Sequence, residues 1–260
     1  MNEYHLAHSL LYDYFATGIE GDVQFYVEEA KKAGSPVLEI GCGTGRILLP
    51  IVKAGVSVFG IDRAPAMLTV LREKVAKLDV ELQRRVTLIE GDMRHFSLEN
   101  RFSLITIPYR GINHLLTSED QRLALTNIRD HLADNGRLIF NTFDPSLQDI
   151  ASSLQTLGGA LVRDSEFTNP ETGRKFVVWE SHNYDVESQI IDQYYILEEL
   201  DDASNVVSKI YCPLIRRYIY RSEMQYLLEL CGFRVDTLYG DFKRGPHKYG
   251  HEQVWVARPW

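Results

Sequence analysis

The chain has 260 residues, 45% hydrophobic and 25% charged, enough for one large domain or a domain with an insertion, and ample for a buried core. A net charge of -8 disfavours general attraction to nucleic acid or an anionic membrane, while leaving room for a local basic patch. Cys42, Cys212 and Cys231 match no metal-ligand spacing and read as free thiols of a reducing cytosol; the N-terminal MNEYHLAHSLLYDYF is too polar for a signal peptide, and no apolar run approaches the ~20 residues of a membrane span.

In chain order, Leu6, Leu10, Leu11, Tyr14 and Phe15 predict a short amphipathic helix over Tyr4 to Phe15, broken at Thr17-Gly18. Asp22 is placed to cap a second helix that ends at Gly34. Ser35 to Pro50, SPVLEIGCGTGRILLP, reads as a buried strand, a glycine turn and a helix that starts near Gly45 and ends at Gly55. Val56 to Ile61 is a second strand, and Pro65 opens a third helix with Met67, Leu68, Leu71 and Val75. Val86 to Ile89 and Phe102 to Ile107 are the third and fourth strands. Ser118 caps a helix that stops before Asn135-Gly136, and Arg137 to Phe143 is the fifth strand. Alternation of this kind predicts a parallel sheet flanked by helices.

After Asp144-Pro145 the pattern changes. Lys175 to Tyr184, Gln189 to Leu200 and Val206 to Tyr220 are consecutive strand-like runs separated by turn residues, which predicts an antiparallel meander. Ser222 caps a last helix over Glu223 to Leu230, and Phe233 to Tyr239 and Glu252 to Arg258 form a closing strand pair. The expected organisation is residues 1–34 as N-terminal helices, 35–144 with 221–260 as the main domain, and 145–220 as an inserted subdomain, for a monomer or homodimer.

The glycine turn bears most on function. Gly41, Gly43 and Gly45 let the backbone turn sharply and admit a ligand close to the main chain. In a dinucleotide fingerprint the third glycine would fall where Arg46 stands. Glu39, two residues before Gly41, would repel a pyrophosphate and suits a positively charged ligand. A buried charge there needs a partner, either in the turn or on the ligand. Asp62, after the second strand, lies where an acid accepts ribose hydroxyls in nucleotide-binding folds; its other reading is a helix cap. Pro108-Tyr109-Arg110-Gly111 ends the fourth strand, at the end of a parallel sheet where ligands bind.

VLEIGCGTGR, GIDRAPAML and IEGDMRHF, in that order and spacing, resemble the first three motifs of class I S-adenosylmethionine-dependent methyltransferases. The resemblance implies a Rossmann-like α/β fold with seven strands in the order 3-2-1-4-5-7-6, the last antiparallel, and S-adenosyl-L-methionine as cofactor. It places Gly41, Cys42 and Gly43, with Glu39 and Arg46, around the methionine part, and Asp62 on the ribose. Asp92 and Met93 would take the adenine, with Arg63 and Met67 flanking it or serving surface and core. Pro108 would border the crevice, and the N-terminal helix with Tyr4, Tyr12 and Tyr14 would lid the cofactor or pack into the core. Where related enzymes for amide or nucleobase nitrogen carry an Asn/Asp-Pro-Pro-Tyr signature, this chain has Ile-Pro-Tyr-Arg, which argues against those acceptors.

Arg110 is the expected acceptor-orienting residue, and His114 is a general base or a structural histidine. The meander is expected to cover the acceptor side of the crevice or to form a dimer contact. The basic clusters Arg216-Arg217 and Lys243 to Lys248 are solvated or grip one anionic group. The expected activity is methyl transfer to a small-molecule amine or hydroxyl in the cytoplasm, with no nucleic acid or membrane as partner. A protein that binds the cofactor without turnover would share these motifs, and an NAD-dependent oxidoreductase would share the strand-turn-helix unit and Asp62.

Overall fold

The computed structural model describes residues 6–155 and 159–260. They divide into two units, Gly18–Pro145 with Ile219–Trp260 and Met1–Thr17 with Ser146–Tyr218. In the larger unit β1 (Val37–Ile40) is buried at every position and pairs in parallel with β2 (Val58–Asp62) and β4 (Phe102–Ile107). β3 (Val86–Glu90) adds in parallel to β2, and β5 (Leu132–Phe143) to β4. β11 (Glu252–Pro259) then runs antiparallel beside β5, and β10 (Phe233–Tyr239) antiparallel beside β11. The spatial order β10-β11-β5-β4-β1-β2-β3 is the one the motif resemblance implied.

The apolar runs of the central strands are explained by burial on both faces. Along β5, Leu138 and Phe140 join one core cluster and Ile139 the other. The first cluster includes Ala124, Leu125 and Ile128 of α6 (Ser118–Asp130) and Met224 and Leu228 of α8 (Arg221–Leu230). The second takes Phe25, Tyr26 and Ala30 of α2 (Asp22–Ala33), Leu48, Ile51 and Val52 of α3 (Leu48–Lys53), and Leu68 and Leu71 of α4 (Pro65–Ala76). A one-turn helix, α5 (Val80–Gln83), precedes β3 and has no buried residue, so no apolar period announced it.

Several boundaries differ from the sequence expectation for local reasons. α3 starts at Leu48 rather than near Gly45, because Gly45 has φ +88° and cannot belong to a right-handed helix. Gly21, not Asp22, is the N-cap of α2; Asp22 is a buried first-turn residue. Thr117, not Ser118, caps α6, its hydroxyl accepting the Asp120 N–H at 3.1 Å. α8 starts at Arg221, and the Glu223 carboxylate accepts the Tyr220 N–H, as a capping box prescribes.

The smaller unit holds α1 (Leu6–Phe15), α7 (Leu147–Gln155) and a four-stranded antiparallel sheet of β6 (Val162–Thr168), β7 (Lys175–Asp185), β8 (Ile190–Leu200) and β9 (Val206–Arg217), in that spatial order. Three of these strands were expected. β6 is a largely exposed edge strand whose VRDSEFT run has little apolar alternation to read. Its core is Leu11 from α1 against Phe176, Val178, Leu197 and Cys212. α1 thus packs on the meander, while α2 packs on the seven-stranded sheet. Tyr4 lies outside the described residues. No helix among those described is long and apolar enough to cross a membrane.

Candidate active site

The five parallel strands end on one edge of the sheet, so the glycine turn, Asp62, Asp92, the Pro108–Arg110 turn and Asp144 all follow strand carboxyl ends there. This edge is where ligands bind in open α/β sheets. Gly41 and Gly43 have φ of +69° and +52°, and a Cβ on either would meet nothing within 4 Å. The turn therefore turns bare backbone towards open space.

Gly45 is glycine for a different reason: a Cβ there would collide with Leu71 of α4, so it permits close helix packing. The turn is fixed from below. The Gly41 N–H donates to Ile61 O at 2.7 Å, and Lys74 donates to Thr44 O at 3.0 Å.

Glu39 is 2% exposed, and its Oε2 has no hydrogen-bond partner among the described atoms. Burial pushes its pKa up to about 8; the positive charge of Arg46 and the Leu48 N–H act against that, and Asp62 adds to it. An unpaired oxygen of this kind is costly unless a ligand completes it.

Asp62 is half-buried, and both its oxygens accept backbone N–H groups, Oδ2 from Gly43 at 2.7 Å and Oδ1 from Ala64 at 2.8 Å. Burial raises its pKa, against the pull of these two bonds. The carboxylate thus ties the turn to the start of α4 and keeps lone pairs for other donors. Cys42 is buried, and burial holds its thiol well above the usual range, so it is a packing group rather than a nucleophile.

Other expected site residues are engaged within the protein. Arg46 forks onto Asp22 at 2.9 and 2.6 Å and lies over the Tyr109 ring, 5.0 Å from its centroid. It therefore links the glycine turn to α2 and to the turn after β4. Asp92 accepts three donors of Arg94, which also reaches Asp120 at 2.7 Å; these bonds hold its pKa below the usual range. Met93 packs against the core beside it, Met67 is buried and Arg63 is exposed.

Pro108 is buried, and Tyr109 and Arg110 both have left-handed backbone, φ +53° and +63°. Consecutive non-glycine residues there store strain of roughly 1–2 kcal/mol each. Arg110 is held by Glu252 through Nε at 3.1 Å and a second, shorter contact, with its guanidinium 4.9 Å from the Phe143 centroid. Glu252 also accepts from buried Asn141 at 2.8 Å. His114 is half-buried at the end of a 3-10 turn, Gly111–His114. In the other unit Tyr14 stacks on Phe167 at 5.4 Å.

Three groups went unread in the sequence. Asp22 looked like a helix cap, Glu252 was one residue of a closing strand, and Asp144 marked only a strand end. The sole signal for the first was Arg46 itself, a cation inside a glycine turn. Of the expected anion grip, Lys243 pairs with Glu20 at 2.6 Å, and Arg244 with Glu28 and Glu29 at 2.9 and 2.8 Å.

A Methyltransferase domain family matches residues 37–136, the stretch from β1 into β5. The dTDP-3-amino-3,4,6-trideoxy-alpha-D-glucopyranose N,N-dimethyltransferase of Streptomyces venezuelae is 27% identical over 143 residues, 52% of this chain and 57% of that protein. The chain thus spans about half the length of the curated relatives it matches. Among solved structures, the CcbJ methyltransferase of Streptomyces caelestis superimposes with a TM-score of 0.81 at 23% identity, covering 97% of this chain and 96% of that one. An S-adenosylmethionine-dependent methyltransferase of Clostridium acetobutylicum gives 0.74 at 13% identity, with 97% of each chain covered. Residues 37–136 thus match a methyltransferase domain family, and the chain has the Rossmann-like α/β fold of these solved methyltransferase structures.

Proposed function

We propose that this protein transfers the methyl group of S-adenosylmethionine to an amine of a small molecule. The observation that carries this reading is the buried, incompletely partnered carboxylate of Glu39 beneath a glycine turn open to solvent space. An ammonium is the partner such a carboxylate lacks, and the methionine part of the cofactor has one. The Gly41–Gly43 backbone leaves room for that part. Asp62 has acceptor capacity left for two ribose hydroxyls, and Asp92 with Met93 would border the adenine.

The cofactor supplies a methyl group made electrophilic by its sulfonium. What remains for the protein is to hold an acceptor in line with that methyl group and to exclude water. The residues assigned to the cofactor follow β1, β2 and β3. The ends of β4 and β5, on the other side of β1, are thus left for the acceptor. In this assignment Arg110 acts through Glu252 to shape the turn after β4, and His114 stands beside that turn. An amine is favoured over a hydroxyl by the amino-sugar dimethyltransferase named above.

Calorimetry with S-adenosylmethionine, S-adenosylhomocysteine and NADH tests the cofactor; heat with NADH alone would refute it. A methyl-transfer screen of amino-sugar nucleotides, free amino sugars, amino acids and their hydroxyl analogues tests the acceptor, and amines should be the substrates methylated.

A further inference from the structure

We propose that His247, oriented by Asp144, is the group that takes the proton from the acceptor amine; this rests on the amine-methylating reading above. Asp144 is the residue immediately after β5, at the sheet edge that the cofactor residues leave open, and its side chain is 5% exposed. Its Oδ2 lies 3.0 Å from His247 Nε2, and its Oδ1 accepts from Gln253 Nε2 at 2.6 Å. Gln253, fully buried, in turn accepts from Trp255 Nε1 at 3.2 Å. A carboxylate can only accept, so with Asp144 ionised it is Nε2 of His247 that carries the hydrogen between them. Nδ1 is then the basic nitrogen of the ring. A base whose tautomer is set by a buried carboxylate, itself held by a buried amide, has the layout of an activated general base.

A purely structural pair would serve to pin the loop between β10 and β11, but that loop is already held at other points. Lys243 and Arg244 reach Glu20, Glu28 and Glu29, and the Tyr249 hydroxyl donates to Pro145 O at 2.9 Å. Gly240 N–H donates to Gly245 O at 2.9 Å. A buried imidazole–carboxylate pair adds little stability over apolar packing of the same volume, so a further pin gives it no strong reason to be there.

The chemistry needs such a group, because an aliphatic amine is mostly protonated near neutral pH. His247 Nδ1 takes one proton from the ammonium, freeing the nitrogen lone pair. That pair forms the new C–N bond to the methyl carbon as the C–S bond breaks, and its electrons remain on sulfur as the neutral thioether. Asp144 then faces an imidazolium, which it stabilises.

Two measurements test this on the whole chain. Long-range 1H–15N spectra of histidine-labelled protein, with and without S-adenosylhomocysteine, should show neutral His247 with its hydrogen on Nε2, and Asp144→Asn should disturb that tautomer. A hydrogen on Nδ1 in the unmodified protein would overturn the proposal, whatever acceptor is used. With an amine methylated in the panel, His247→Gln should lower kcat by a factor of about 10²–10⁴, the range of general-base contributions, with S-adenosylhomocysteine affinity kept. Imidazole added to His247→Gly should restore part of the rate, which loss of a structural pin would not allow. An unchanged kcat in His247→Gln, or a loss confined to His114→Gln run in parallel, would assign the base elsewhere. A panel without any methylated amine counts against the amine reading, while the tautomer judges the pair by itself.

Discussion

At the scale of single residues, the site is governed by two carboxylates that the fold keeps from ordinary solvation. Glu39, pushed up to about 8 in the folded chain, returns to an ordinary value near 4.5 on unfolding. Between those values the folded protein holds a proton that the unfolded chain has lost. Its contribution therefore lowers stability as pH rises, by up to about 1.4 kcal/mol per pH unit, and the penalty is complete above pH 8. Glu39→Gln should be more stable than the unmodified protein at pH 8, with the difference vanishing below the unfolded value near 4.5, and with affinity for S-adenosylhomocysteine reduced at least about tenfold. Melting curves at pH 8 and below that unfolded value, with calorimetry, check this; a variant less stable at pH 8 would show that Glu39 is satisfied from within.

Asp62 makes the opposite case, because it already has two partners. Asp62→Ala should weaken cofactor binding by roughly 1.5–3 kcal/mol through lost hydrogen bonds to a charged acceptor. It should also lower Tm without ligand, since the Gly43 and Ala64 N–H groups lose their acceptor. From the sequence alone, as a ribose ligand, Asp62 gave no reason to expect the second effect.

At the scale of elements, the turn after β4 shows why some of the site was legible and some was not. The strand order, the glycine turn and the positions of Glu39, Asp62 and Asp92 could be read because each depends on local pattern: an apolar run, a glycine, an acid at a strand end. The partners of Arg110 and Arg46, and the Asp120 contact of Arg94, depend on side chains brought together by the fold. Glu252 lies 142 positions from Arg110 and Asp22 lies 24 from Arg46. β6, α5 and the late start of α3 escaped for a different reason, because polar edge strands and single turns carry no period.

The consequence for Arg110 is testable. Arg110→Ala leaves Glu252, whose side chain is 11% exposed, with Asn141 as its remaining partner here. Stability should fall by roughly 1–3 kcal/mol, the cost of a buried charged group losing its bond. The denaturant midpoint should drop, with affinity for S-adenosylhomocysteine kept. Arg110→Lys should recover only part of the loss, because an ammonium cannot reproduce the fork. An unchanged midpoint with a raised acceptor KM would instead make Arg110 a direct acceptor ligand.

At the scale of the whole molecule, charge separates a small acceptor from a polymer. Binding to a nucleic acid is carried by many phosphate contacts, and each releases counterions, so affinity falls steeply with salt. A chain with 28 basic against 36 acidic side chains has no excess to spend on such contacts. Its densest basic loop is neutralised internally, Lys243 by Glu20 and Arg244 by Glu28 and Glu29. Arg46, Arg94 and Arg110, all at the functional edge of the sheet, are each held by at least one carboxylate. The cations at that edge are thus structural braces rather than a track for a backbone of phosphates. Filter binding with RNA and DNA at physiological salt should show no salt-sensitive complex, and methyl incorporation into either polymer should stay at background beside turnover of a small amine. Tight binding that collapses on adding salt, with label in the polymer, would mean that the cations exchange these carboxylates for phosphates, and the small-amine reading would fall.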